Sequence, residues 1–257
     1  MIAKNNKAKK KEDDKKIKII NFYTLPQVQA YAKNYWNPNF ERHKIKVPFR
    51  LICIASSGGG KSNLFLNIIS VFSDTFHKII IYTQNRDEQL YNWLSAEMNK
   101  DINNKFLDIY EGLDHLNNCN LDEEYDKDKQ YLIIFDDQCN ERDQSKICEL
   151  YIRGRKLGSG CSLCYLTQSY YKCPKLVRDQ ANYILMRKVQ GTRDLNMILK
   201  DCSLSATKEQ LLNMYEYATY SEDINDITNF LMIDKETNDP NLRYRKNFDE
   251  VLNYNEF

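Results

Sequence analysis

A chain of 257 residues is long enough for one large α/β domain with extensions, or for two small domains. Its 37 Lys and Arg nearly balance 36 Asp and Glu, and the formal charge of +1 gives no global pull toward nucleic acid, so any such contact must rest on local patches. Eight cysteines in a chain this long, with no signal peptide read at its start, are expected as reduced, mostly buried thiols of a cytosolic protein, and no apolar run approaches the ~20 residues of a membrane span.

Residues 1–18 carry eight lysines against Glu12, Asp13 and Asp14. Such a segment cannot bury apolar surface and is expected to be a disordered tail. A functional role, as a weak grip on DNA or a targeting signal, is weighed evenly against a plain solubilising tail. Residues 19–48 hold Phe22, Tyr23, Leu25, Tyr31, Tyr35 and Trp36 and read as an N-terminal extension packed on the core, with packing favoured over base stacking.

The first chemical signal lies at 51–66, LICIASSGGGKSNLFL: an apolar strand, a Ser/Gly loop, then an apolar helix. The first N–H groups of a helix lack internal partners, and its dipole favours negative charge there, so the stretch is an anion site. Ala55 through Asn63 make up the candidate nucleotide-binding run: Ala55, Ser56, Ser57, Gly58, Gly59, Gly60, Lys61, Ser62 and Asn63. The pattern is that of the phosphate loop, with Ala55 standing where a glycine is usual. Lys61 can reach the β- and γ-phosphates and the Ser62 hydroxyl can hold Mg²⁺. Leu64, Ile68, Val71 and Phe72 share one helical face, and Phe65 and Ile69 add a second, which predicts a helix buried on most sides.

A strand is expected at Ile79–Tyr82, with Thr83, Gln84 and Asn85 at its ligand-binding end. A helix is expected over 87–98, a short strand near 106–110, and a helix-containing acidic loop over 111–130, which lacks the spacing of a calcium loop. The run 131–137, YLIIFDD, predicts a buried strand that ends in two carboxylates. In a phosphate-loop enzyme Asp136 belongs beside the magnesium, and Asp137 is placed to orient or deprotonate the attacking water. Alternation along a strand sends the two to different sides.

Residues 142–157 read as a helix bearing Arg153, Arg155 and Lys156, and Gly158 and Gly160 make a turn. Cys161–Thr167 is a further apolar strand, with Gln168 at its end, where an amide can touch both γ-phosphate and water. Cys161 and Cys164 form a C-x-x-C, but three positions along a strand separate the faces, which disfavours zinc. A loop and helix run to Arg178, and a strand follows at Tyr183–Met186. Lys172, Lys175, Arg187 and Lys188, interleaved with tyrosines, are candidate DNA contacts, weighed evenly against an ordinary solvated face. Helices near 192–200 and 207–217 and a strand pair spanning 230–249 complete the chain, with no second chemical site. The expected organisation is thus a tail at 1–18, an extension at 19–48, a core at 49–190 and a C-terminal extension at 191–257.

Strands alternating with helices give an α/β P-loop fold. The phosphate loop ASSGGGKS, the strand LIIFDD, the helix end RGRKLG and the segment CSLCYLTQSYYKCPKLVRDQANYILMRK resemble the poxvirus-type genome-packaging ATPases of large DNA viruses and virophages, in the FtsK/HerA superfamily of DNA pumps. The resemblance spans roughly residues 45–250. It implies an ASCE-class, RecA-like three-layer sandwich with a mainly parallel sheet. It also implies an ATP- and Mg²⁺-dependent motor that drives double-stranded DNA into a preformed capsid, as a hexameric or pentameric ring at a capsid vertex. The location it implies is the host-cell cytoplasm, a virus factory or the virion. By position, Lys61 and Ser62 become phosphate and magnesium ligands, Asp136 the magnesium-side acid, Asp137 the base and Gln168 the γ-phosphate sensor. Arg155 is the first choice for an arginine finger reaching a neighbouring subunit, followed by Arg153 and Arg178. Many relatives carry Glu where Asp137 stands, which leaves its role as base less secure than that of Lys61. Two other classes share these motifs: another DNA motor of the fold (a helicase or DNA-segregation ATPase), and a non-catalytic nucleotide-binding scaffold.

Overall fold

The computed structural model describes residues 19–100, 106–223 and 225–257; the lysine-rich tail expected at 1–18 lies outside them. The chain divides into two compact units, Met1–Asn34 and Tyr35–Phe257. The described part of the first is short. A 3-10 turn at Phe22–Thr24 is capped by the Asn21 side chain, which accepts from the Tyr23 N–H, and a helical turn with Pro at its first position follows at Pro26–Gln29. The stretch expected as one extension at 19–48 is therefore cut at Asn34.

The second unit is built on a nine-stranded sheet. Its strands are β1 (Arg50–Ile54), β2 (Lys78–Thr83), β3 (Leu107–Glu111), β4 (Tyr131–Asp136), β5 (Cys161–Thr167), β6 (Tyr183–Met186), β7 (Leu231–Asp234), β8 (Tyr244–Lys246) and β9 (Glu250–Val251). The spatial order is β3-β2-β4-β5-β1-β6-β7-β8-β9. The first six are parallel and the last three antiparallel. Strands β7–β9 thus continue the same sheet rather than forming a separate lobe.

Both faces of the central strands are covered, which is why they read as unbroken apolar runs. Leu51, Cys53, Leu132 and Ile134 face α1 (Lys61–Val71) and α2 (Gln89–Met98), through Leu64, Phe65, Ile68, Tyr91 and Leu94. Ile52, Ile54, Ile133 and Phe135 face the other layer. That layer comprises α3 (Ser145–Arg153), α4 (Lys175–Gln180), α5 (Thr192–Cys202) and α6 (Lys208–Thr219). Helix α6 starts at a capping box, Thr207 and Gln210 closing each other's backbone N–H groups. Helix α1 is wetter than its sequence suggests, because Asn67 and Ser70 form a solvated stripe. Cys161 and Cys164 lie on opposite sheet faces, and the Cys164 Sγ sits 3.8 Å from that of Cys53.

Strand β5 lies between β1 and β4. The register aligns Ile54 with Thr167, Leu166 with Asp136, and Asp136 with Thr83, so these strands end together at one edge. That edge carries the site. Residues 35–48 pack elsewhere on this unit: the Trp36 N–H donates to Gln130, the Trp36 indole donates to the Asp74 carbonyl, and His43 and Ile45 are fully buried.

Candidate functional site

Strand β1 hands the chain to the loop through two ties, Ala55 N–H to the Thr167 carbonyl at 3.2 Å and Ser56 N–H to the Lys188 carbonyl at 3.4 Å. The loop closes on itself when Gly59 N–H donates to the Ser56 carbonyl at 2.9 Å. A Cβ at Gly59 would stand 2.9 Å from that same carbonyl oxygen, so the turn admits no side chain. Gly60, at φ 82, sits in the left-handed region directly before α1. Ala55 is not among the described residues with positive φ, so its methyl brings no backbone strain, in keeping with its place in the pattern.

The loop borders a cleft of about 380 Å³ lined by Ser62, Asn63, Glu88, Asp136, Asp137, Gln168 and Ile227. Lys61 is the centre of its charge. Its Nζ lies 3.0 Å from Asp136 Oδ1 and also pairs with Asp137 Oδ2. Burial disfavours the ammonium, but the two carboxylates outweigh that and hold its pKa above the ordinary lysine value. Both acids therefore converge on one cation, contrary to the alternation expected of them. The strand ends at Asp136, and Asp137 turns into a left-handed conformation (φ 53) that swings its carboxylate back toward the loop. A non-glycine residue held there is strained and needs its surroundings to fix it.

Gln168 Nε2 stands 3.4 Å from Asp137 Oδ2. The Tyr91 hydroxyl, reaching across from α2, donates to Asp136 Oδ2 at 2.5 Å. Burial, reinforced by the Asp136 charge, pushes the Tyr91 phenol up, so it stays a donor. Asp137 Oδ1 is buried with no hydrogen bond among the described residues. Hard oxygens at Ser62 and Asp136, beside that open acceptor, are a donor set that suits Mg²⁺.

The arginines lie elsewhere. Arg155 is exposed, in a 3-10 turn at Gly154–Lys156 that precedes β5 at the sheet edge opposite the loop. Arg153 is paired with Glu149 and Asp122. Arg178 is 3.5 Å from Asp201 and lies over the Tyr170 ring. None of the three lines the cleft of its own chain. Lys172, Lys175 and Lys188 are exposed, as surface contacts require. Arg187 differs: it is 7% exposed, its guanidinium packed against Gly60 of the loop rather than presented on the outer surface as a duplex contact would be.

Tyr91, Glu88 and Ile227 carry no sequence signal of their own. Glu88 does follow the polar run from Thr83 at the ligand-binding end of β2, which was the available clue.

The family model described as poxvirus A32 protein matches residues 37–236. The chain belongs to that family. Among solved structures, this A32-family chain resembles the genome packaging NTPase B204 from Sulfolobus turreted icosahedral virus 2 in complex with ATP-gammaS. The identity is 16% and the TM-score 0.52, covering 81% of this chain and 100% of that one. It also resembles B204, the DNA-packaging ATPase from Sulfolobus turreted icosahedral virus, with 17% identity and a TM-score of 0.52, covering 82% and 98%. At these identities the likeness is one of fold, and the fold is that of the P-loop NTPases. Among curated proteins, none matches the sequence.

Proposed function

We propose that this chain is an ATP-hydrolysing motor that drives double-stranded viral DNA into a preformed capsid. The observation that carries the reading is the convergence of Lys61, Asp136, Asp137 and Gln168 on one cleft at the C-terminal edge of a sheet whose β5 intervenes between β1 and β4. Membership of the A32 family, and the genome-packaging role of the B204 fold neighbours, support reading DNA as the cargo and a capsid as the destination.

In this reading the loop amides and Lys61 bind the triphosphate. Ser62 and Asp136 would hold Mg²⁺, which supplies charge neutralisation at the phosphates when bound. Tyr91 fixes the Asp136 carboxylate. Asp137 takes the proton of the attacking water, and Gln168 orients that water and registers the γ-phosphate. Arg155, exposed and remote from its own cleft, is suited to reach a neighbouring subunit's site in a ring, where such a finger is worth ~10³–10⁵ in rate. Loss of the γ-phosphate contacts then shifts one subunit against the next, and Lys172, Lys175 and Lys188 carry DNA phosphates along. The setting is the virus factory, with the ring docked on a capsid vertex.

The test is turnover against protein concentration, with and without duplex DNA. A shared-site ring motor gives specific activity that rises steeply with concentration and is stimulated by DNA. Activity per monomer that is flat with concentration and indifferent to DNA overturns the reading.

A further inference from the structure

Strand β6 ends beside β1, and the Arg187 N–H donates to the Ile54 carbonyl at 2.9 Å. This ties Arg187 to the last residue of β1, just ahead of the phosphate loop. Its side chain then reaches Gly60 of the loop. A Cβ built on Gly60 would stand 2.9 Å from Arg187 Nη1 and 2.8 Å from the Ile227 Cβ. Nη2 makes one long hydrogen bond, 3.4 Å to the Asp226 carbonyl. Nη1 is buried and has no hydrogen-bond partner among the described residues. Burial lowers the guanidinium pKa against the pull of Asp226.

A buried guanidinium nitrogen without an acceptor is costly, and native proteins seldom leave one so. The missing acceptor must be an anion or a strong oxygen. Gly60 immediately precedes the helix end at which the loop offers its amides to phosphate. Strand order places Arg187 on the β6 side of that loop, whereas Lys61's carboxylate partners stand on the β4 side. The Asn63 amide lies 3.5 Å from the Ile227 carbonyl, so the Asp226–Ile227 segment crosses the mouth on the same side as Arg187.

We propose that Arg187 is a nucleotide phosphate ligand supplied by the same chain, gripping the α/β-phosphate part of a nucleoside di- or triphosphate from the β6 side, with Asp226–Ile227 as the strap that holds it there. This rests on reading the cleft as a nucleotide site. Its consequence separates it from Asp137 and Gln168: Arg187 serves ADP as much as ATP, because it does not face the γ-phosphate.

The experiment measures binding of fluorescent ADP, fluorescent ATPγS and plain adenosine to wild type, Arg187→Met and Arg187→Lys, with melting of each ligand-free protein. Wild type that binds no nucleotide defeats the parent reading itself, independently of the variants. With wild type binding, Arg187→Met loses about 10- to 100-fold in affinity for both nucleotides. It keeps its adenosine affinity and melts no lower than wild type, because an unpaired buried charge has been removed; Arg187→Lys recovers part of the nucleotide affinity. Unchanged nucleotide affinity in Arg187→Met overturns the proposal. So does an equal loss for adenosine, or a lowered ligand-free melting point, either of which marks Arg187 as a structural prop.

Discussion

Lys61 Nζ stands 3.0 Å from Asp136 Oδ1, and the same ammonium holds Asp137. The cation that phosphates would recruit is here held by the two acids whose freedom hydrolysis requires. Lys61→Ala is therefore expected to do two things. Turnover is lost, and the ligand-free protein is destabilised by about 3 kcal/mol, because two close carboxylates are left without their counter-charge. Adding Asp137→Asn to Lys61→Ala should restore part of the stability and none of the activity. Denaturant melts of the four proteins in that cycle check the coupling.

Tyr91 acts through Asp136. Tyr91→Phe removes only the hydroxyl that donates to Oδ2, and it is expected to weaken Mg²⁺ dependence and turnover by ~10–100-fold. The diagnostic is a shift in the Mg²⁺ concentration giving half-maximal rate. A rate loss without that shift would place Tyr91 outside the metal's orbit.

His43 gives the protein an acid-sensitive seam far from the cleft. It is fully buried, its Nδ1 accepts from the Ile45 N–H at 3.0 Å, and its ring lies 4.1 Å from that of Phe72. Burial, then Arg245 and Arg42, lower its pKa to about 4. The folded protein thus resists protonation that the unfolded chain accepts near pH 6.5. The stability involved is complete above about pH 6.5 and is lost as the pH falls toward about 4, at most ~3 kcal/mol. Urea melts from pH 7 to pH 4.5 should show this loss, and His43→Phe should flatten it.

If Arg155 completes a neighbour's site, then Arg155→Ala and Lys61→Ala are each inactive for reasons that lie on different subunits. Mixing the two before assembly should restore partial turnover. A mixture no more active than its parts removes Arg155 from the trans position.

Much of this architecture could be read from the chain because buried parallel strands announce themselves. Cys161–Thr167 and Tyr183–Met186 are unbroken apolar runs, and their ends place Gln168 and Arg187 at a sheet edge. What escaped was whatever depended on reach rather than pattern. Asp137 left the strand's alternation because its backbone turns left-handed, which an acidic pair does not disclose. Arg187, read beside Lys188 as one basic patch, points inward because it directly follows the buried strand β6 and its guanidinium packs against Gly60. Tyr91 meets Asp136 across 45 residues through the register of β2 with β4, a relation that no local spacing encodes.

The central claim is movement along duplex DNA driven by ATP, and displacement of a triplex-forming strand measures it most directly. The wild-type protein with ATP and Mg²⁺ should strip the third strand from a duplex, with a lag that lengthens with distance, while Lys61→Ala and wild type with ATPγS should not. ATP hydrolysis that leaves the triplex in place, or displacement by Lys61→Ala, would contradict the account.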